Sequence, residues 1–290
     1  MSTNVMFVFG LGFSAKALSA QLIQQGWIVR GTTRSAEKAG ALAQMGIEAH
    51  LFDSDSPLAD PSVLDGVTHL LASVPPGKDG DPVLIHHGKD IAARASHIGW
   101  AGYLSTTGVY GDRGGDWVDE SSVLEPSTER GRRRVAAEND WCNLFRNHGL
   151  LVHLFRLAGI YGPGRNALET VRQGKARRVI KEGQVFSRTH VADIAAVLAA
   201  SIAQPNPGVA YNVCDDDPAP PQDVIAHACD LLGVTPPPEI AFEDAELSDM
   251  ARSFYAESKR VSNARIKDEL GVELIYPDYR AGLDALLMES

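Results

Sequence analysis

A chain of 290 residues, 44% hydrophobic and 22% charged, can bury a full core and has the balance of an ordinary soluble globular protein. Its net charge of −10 argues against a nucleic-acid binder, which needs a basic face. No apolar run reaches bilayer length and the first residues lack a basic leader stretch, so the expectation is a cytoplasmic protein with no membrane partner.

Val5–Phe9 is a β-rich run and opens the predicted elements. Residues 14–25 carry Ala17, Leu18, Leu22 and Ile23 at helical spacing and predict a helix that Gly26 ends. Strands are predicted over 27–33, 47–52, 67–72, 100–105 and 150–157, and helices over 36–45, 82–98 and 128–147. Repeated strand–helix–strand units call for right-handed crossovers, so the fold class is α/β, a Rossmann-type doubly wound parallel sheet. After Pro163-Gly164 the alternation loosens, with a helix over 191–203, a strand over 209–213 and Pro-rich connectors at 215–221 and 236–238. The expected division is a dinucleotide-binding domain over 1–162, with returning segments at about 187–214, and a smaller substrate-binding lobe from 163–186 and 215–290. Ligands of open α/β sheets lie at the carboxyl ends of the strands, so a substrate site is expected between the lobes. Cys142, Cys214 and Cys229 form no C-x-x-C pair; free thiols are expected, and no metal site.

The first strand runs into Gly10-Leu11-Gly12-Phe13-Ser14-Ala15, a G-x-G-x-x-A sequence leading into a helix. Gly10 permits a tight turn, Gly12 lets a pyrophosphate reach the backbone, and Ala15 lets the helix sit close to the strand. The helix amino terminus favours the negative charge. The alternative is a glycine turn with no ligand. The second strand ends in Gly31-Thr32-Thr33-Arg34-Ser35, with no carboxylate for a ribose. Arg34 can fork onto a 2′-phosphate, with Thr33 and Ser35 as hydroxyl donors and Lys38 a turn away, which favours NADP over NAD. Asp53 either lies near the adenine or starts a turn with Ser54 and Asp55. Ser73, Val74 and Pro75 are expected to pass over the dinucleotide, or to form an ordinary turn.

Four further stretches carry a resemblance: Ser105-Thr106-Thr107-Gly108-Val109-Tyr110-Gly111, Arg156-Leu157-Ala158-Gly159-Ile160-Tyr161-Gly162-Pro163-Gly164, His190-Val191-Ala192-Asp193 and Tyr211-Asn212-Val213. With the glycine motif they make the chain similar, over nearly its whole length, to the extended short-chain dehydrogenase/reductases, the NAD(P)-dependent sugar epimerases, dehydratases and reductases. The resemblance implies an NADP-dependent oxidoreductase or epimerase/dehydratase-like enzyme acting on a small molecule, anionic or nucleotide-linked. It also implies where the catalytic Y-x-x-x-K pair should stand. Gly131 and Glu138 set the register, and Arg130 then takes the tyrosine position and Arg134 the lysine position. A guanidinium, with a pKa above about 12, is a poor proton donor or acceptor at neutral pH. Arg134 retains donors for a ribose, and Thr106 matches the hydroxyl that orients a substrate oxygen.

Arg130 and Arg134 share a helix face, and Glu138 continues the line and is expected to pair with Arg134. Arg130 is read as an anion-binding residue, or as part of a solvated basic patch. Tyr110 and Tyr161 either supply the missing phenol or serve as packing aromatics. Thr107, Tyr161 and His190 are read as substrate-side residues, His190 alternatively as structural, and Asp193 as a helix cap or helix-start residue. The helices over 82–98 and 128–147 resemble the pair that forms a homodimer interface in relatives. The alternative function is a non-catalytic NADP(H)-binding sensor.

Overall fold

The computed structural model describes residues 3–248, 252 and 254–289. By internal contacts they form two units, the first running to Thr106 and taking in Glu129–Arg156 and Ile194–Tyr211, the second made of Thr107–Thr128, Leu157–Asp193 and the residues from Asn212 onward.

A seven-stranded parallel sheet organises the first unit. Its strands are β1 (Val5–Phe9), β2 (Ile28–Thr33), β3 (Ile47–Leu51), β4 (His69–Ala72), β5 (Trp100–Thr106), β7 (Val152–Leu157) and β11 (Ala210–Val213), in the order β11-β7-β5-β4-β1-β2-β3. Every residue of β1 and β7 is buried, as a strand covered on both faces requires; β1 is continuously apolar, and β7 carries only His153 and Arg156 among apolar residues. The edge strand β3 is half-buried or exposed beyond Ile47 instead. The helices are α1 (Phe13–Gln24), α2 (Ala36–Gln44), α3 (Pro82–Ala93), α4 (Glu129–His148) and α6 (Val191–Ala203).

Asp81 starts α3 by accepting the Val83 and Leu84 amides at 2.8 and 3.3 Å, with Pro82 in the first turn, where its missing N–H costs nothing. The helix ends at Ala93, short of the expected 98, and a 3-10 turn over Ala95–His97 follows. The cause is Ile98, 3% exposed, and Gly99, whose N–H bonds Thr68 O at 2.8 Å; the chain must tighten there to enter β5. In the core, Tyr103 stacks on Trp141 with centroids 5.7 Å apart, and the Trp100 indole N–H bonds Ser201 Oγ at 3.0 Å.

Short parallel pairs mark the second unit: β6 (Trp117–Val118) with β13 (Arg260–Val261), β8 (Gly159–Tyr161) with β10 (Arg188–His190), and β9 (Arg178–Ile180) with β12 (Glu239–Ala241). Helices α5 (Ala167–Arg172), α7 (Pro221–Leu231) and Tyr279–Met288 close over a core that includes Tyr161, Leu168, Val224, Ala228, Tyr279 and Leu283. No described helix is long and apolar enough to cross a membrane.

Candidate functional site

The two glycines after β1 are set differently. Gly10 has φ +85°, and a Cβ on it would stand 2.9 Å from Val74 Cγ2 and 3.2 Å from Val74 N. Its N–H bonds Thr32 Oγ1 at 2.8 Å and the Leu11 N–H bonds Thr32 O at 2.9 Å, which fastens the turn to β2. Gly12 has an ordinary φ of −86°. A Cβ on it would meet nothing nearer than 4.0 Å. No side chain caps α1. Phe13 is half-buried, Ser14 is buried and Ala15 has no exposure. Ser73 N–H bonds Phe9 O at 2.8 Å, which holds Ser73 and Val74 beside the turn, with Pro75 exposed beyond them.

At the end of β2, Thr33 is half-buried and Arg34 is exposed, with no side-chain partner among the described residues. Ser35 caps α2 by accepting the Lys38 N–H at 3.4 Å, which leaves its own hydroxyl proton to donate. Asp53 Oδ1 accepts the amides of Asp55 and Ser56, each at 2.8 Å, so of its two readings the turn is the one formed. The Phe52 N–H bonds Thr33 O at 3.0 Å and brings this turn alongside Arg34.

Beside the end of β5, where Thr106 is half-buried, α4 presents its arginines. Arg134 Nη1 donates to Leu104 O at 2.6 Å and to the Tyr103 hydroxyl at 3.1 Å. The expected Arg134–Glu138 pair does not form. Glu138, 3% exposed, instead takes Arg156 Nη2 at 2.8 Å and the Ser105 hydroxyl at 2.5 Å. A carboxylate so deeply buried needs a partner equally buried, and Arg156 of β7 supplies it, while Arg134 finds a carbonyl on β5. Arg132 and Arg133 are tied to Glu129 at 3.0 and 3.1 Å. Arg130 is exposed, with no side-chain partner among the described residues. Behind this face Asp81 accepts the Trp141 indole N–H at 3.0 Å, and burial raises both its carboxyl pKa and that of the Tyr103 phenol. Sequence reasoning missed Ser105, Tyr103, Asp81 and the role of Arg156. Only Arg156 gave a signal, as a lone charge within the apolar run of β7 that had to be paired.

In the second unit, Thr107 opens a 3-10 turn ending at Tyr110. Tyr110 is fully buried and its hydroxyl donates to Asn212 Oδ1 at 2.7 Å. Tyr161 sits against Gly282, where a Cβ would fall 2.1 Å from its hydroxyl, and burial raises its phenol pKa. Both tyrosines are packed here, Tyr110 with its hydroxyl engaged by Asn212. His190 is 4% exposed; its Nδ1 accepts the Ala192 N–H at 3.2 Å, and its ring meets Tyr161 and Tyr276 edge-on. Burial lowers its pKa to about 4. Asp193 stands in the first turn of α6, so of its two roles it has the helix-start place and not the cap. It accepts the amides of Ile275 and Tyr276 at 2.6 and 3.2 Å, because a buried carboxylate gains more from two stranded amides than from its own first turn.

No known family profile matches the chain. Protein YeeZ of Escherichia coli (strain K12) is 29% identical over 281 residues, spanning 93% of this chain and 96% of its own. The solved structure of a functionally unknown conserved protein from Silicibacter pomeroyi DSS is 53% identical, covers 99% of each chain and has a TM-score of 0.91. The dTDP-glucose 4,6-dehydratase of Bacillus anthracis str. Ames, solved in complex with NAD, is 14% identical over 99% of this chain and 96% of its own, with a TM-score of 0.76, a likeness of fold.

Proposed function

The chain belongs to one family with the conserved Silicibacter pomeroyi protein and has the fold of the NAD-dependent epimerases and dehydratases, and from this premise we propose that it is an NADP-dependent oxidoreductase or epimerase/dehydratase-like enzyme that works without the usual Tyr-x-x-x-Lys pair. One observation carries the reading: Gly10 is wedged beneath Val74 while Gly12, the next glycine, is exposed at the start of α1, with nothing nearer than 4.0 Å to a Cβ placed on it. A glycine with an ordinary φ and room for a Cβ has no structural need to be glycine, whereas close approach of a pyrophosphate gives it one.

The residues fit the group. Gly10, Gly12, Phe13, Ser14 and Ala15 would hold the pyrophosphate, Ser73, Val74 and Pro75 would flank it, and Arg34 with Thr33 and Ser35 would take a 2′-phosphate, with Asp53 nearby. When bound, the dinucleotide supplies hydride transfer at its nicotinamide. Arg134 keeps Nε and Nη2 without partners among the described residues, donors suited to a ribose hydroxyl. Thr106 orients a substrate oxygen. Arg130, exposed beside two neutralised neighbours, attracts an anionic or nucleotide-linked substrate. Neither arginine moves a proton at neutral pH, so the proton comes from water or the substrate. A cytoplasmic setting accords with three free cysteines, and a homodimer through α3 and α4 with their likeness to the pairing helices of relatives.

A second reading, an NADP(H) sensor without turnover, is favoured by Tyr110, whose phenol is buried and bonded to Asn212 at 2.7 Å. Calorimetric titration with NADPH and NADH, then NADPH oxidation against a carbonyl panel with wild type and Arg130→Ala, separates the two. The enzyme reading expects tighter NADPH binding, and turnover of an anionic carbonyl that Arg130→Ala weakens. Tight binding with no turnover selects the sensor, and no binding of either nucleotide removes both.

A further inference from the structure

Two adjacent histidines of α3 hold the loop that follows β3. His87 is 2% exposed, its Nε2 accepts the Leu58 N–H at 3.0 Å, and its Nδ1 lies 3.0 Å from Asp90 Oδ2. Nε2 can accept only when bare, so the ring proton is on Nδ1, and Asp90 keeps it there. His86 works in the opposite sense. Its Nε2 is 2.9 Å from Ser54 O, a carbonyl that can only accept, so this nitrogen carries the proton. One ring thus gives a hydrogen bond to the loop while its neighbour takes one. Asp53 tightens the same loop from within by accepting the Asp55 and Ser56 amides at 2.8 Å.

The His87 ring also joins segments far apart in the chain. It stacks on Phe9, centroids 5.8 Å apart with planes at 24°, and lies 5.8 Å from Phe52. Phe9 immediately precedes Gly10. Phe52 immediately precedes Asp53 and is bonded to Thr33 O at 3.0 Å, next to Arg34. A single buried ring therefore touches the strand ends that lead into the glycine turn and into the loop beside Arg34.

We propose that His87, with His86, is a positioning residue for the adenosine end of the dinucleotide, fixing residues 53–58 against the ends of β1 and β2 so that the edge carrying Arg34 is preformed. The inference rests on the dinucleotide reading above. Preformed edges bind more tightly because the ligand does not have to order them.

The test uses the full chain and adenosine 2′,5′-bisphosphate as probe, titrated calorimetrically against wild type, His87→Phe, His87→Gln and His86→Phe, with near-ultraviolet circular dichroism to confirm folding. Phenylalanine keeps the contacts to Phe9 and Phe52 but removes the acceptor. Glutamine returns an acceptor oxygen near the Nε2 position. His87→Phe should weaken the probe by about tenfold, the size of one buried hydrogen bond, His86→Phe by less, and His87→Gln should recover most of the loss. Wild-type affinity in His87→Phe, or no recovery in His87→Gln, overturns the proposal. Should His87→Phe fail to fold, long-range proton–nitrogen spectra of wild type decide it: His87 bearing its proton on Nε2 refutes the clamp, and the Nδ1–H form with a probe-induced shift supports it. A wild type that binds no probe brings down the dinucleotide reading itself, a result distinct from a variant that leaves wild-type binding unchanged.

Discussion

Arg156 and Glu138 meet inside the first unit with Nη2 and Oε2 2.8 Å apart, both side chains under 8% exposed, and the Ser105 hydroxyl completes the carboxylate at 2.5 Å. The pair joins β7 to α4, and Ser105 adds β5. Removing one partner strands a buried charge. Glu138→Ala should cost about 3–5 kcal/mol, and the double variant Glu138→Leu with Arg156→Met should recover much of it. Urea unfolding followed by tryptophan fluorescence measures both; equal losses in the single and double variants would show that packing, not charge, sets the cost.

The two glycines of the turn should respond in opposite ways. Gly10→Ala places a side chain at φ +85° against Val74 and should destabilise the protein by about 1–3 kcal/mol. Gly12→Ala meets nothing nearer than 4.0 Å and should leave the thermal midpoint nearly unchanged, yet weaken NADP(H) by about tenfold or more as its methyl displaces the pyrophosphate. Unaltered NADP(H) affinity in a folded Gly12→Ala protein would contradict the proposed contact.

Arg34 bears on the choice between nucleotides. Arg34→Ala should weaken NADPH by about tenfold to a hundredfold and NADH little, the scale of a lost charge-assisted hydrogen bond. Parallel titrations read the ratio, and equal losses for both nucleotides would assign Arg34 a structural role.

Buried groups give the stability a pH dependence of mixed sign. Burial lowers His69, His153 and His190 to about 4 from 6.5. Between those values the unfolded chain binds protons that the folded one refuses, so their contribution is whole above pH 6.5 and is lost as pH falls towards 4. Burial raises Asp193 to about 6 and Asp215 to about 8 from 3.8, so these favour the folded state at low pH and lose that contribution as pH rises to 8. Asp215 is 2% exposed, and neither carboxyl oxygen has a hydrogen-bond partner among the described residues. Melting curves across pH should show His153→Phe flattening the acid limb. Asp215→Asn should raise the midpoint at pH 8.5 by more than at pH 5, and an equal shift at both would deny the raised pKa.

The sheet was legible because β1 is apolar throughout, β5 and β7 are largely so, and glycines follow α1, α2 and α4, signals that reside in neighbouring residues. The extended short-chain dehydrogenase/reductase likeness was legible at the level of fold for the same reason. What could not be read was partner choice across the chain. Glu138 stands four residues from Arg134, which suggested a local pair, whereas burial sent it to Arg156, 18 residues away. Tyr110 follows a strand at the ligand edge, yet its partner Asn212 lies 102 residues on. His86 and His87 gave no signal, since a histidine's tautomer depends on what the fold sets against it.

The bond from Asp193 to the amides of Ile275 and Tyr276, and the seat that Gly282 gives Tyr161, bear on the order of assembly during synthesis. Until residues 275–282 leave the ribosome, a carboxylate and a phenol already made must wait in water without their partners. The second unit therefore closes late, and a nascent chain halted before Ile275 would offer proteases and chaperones an open half-built core.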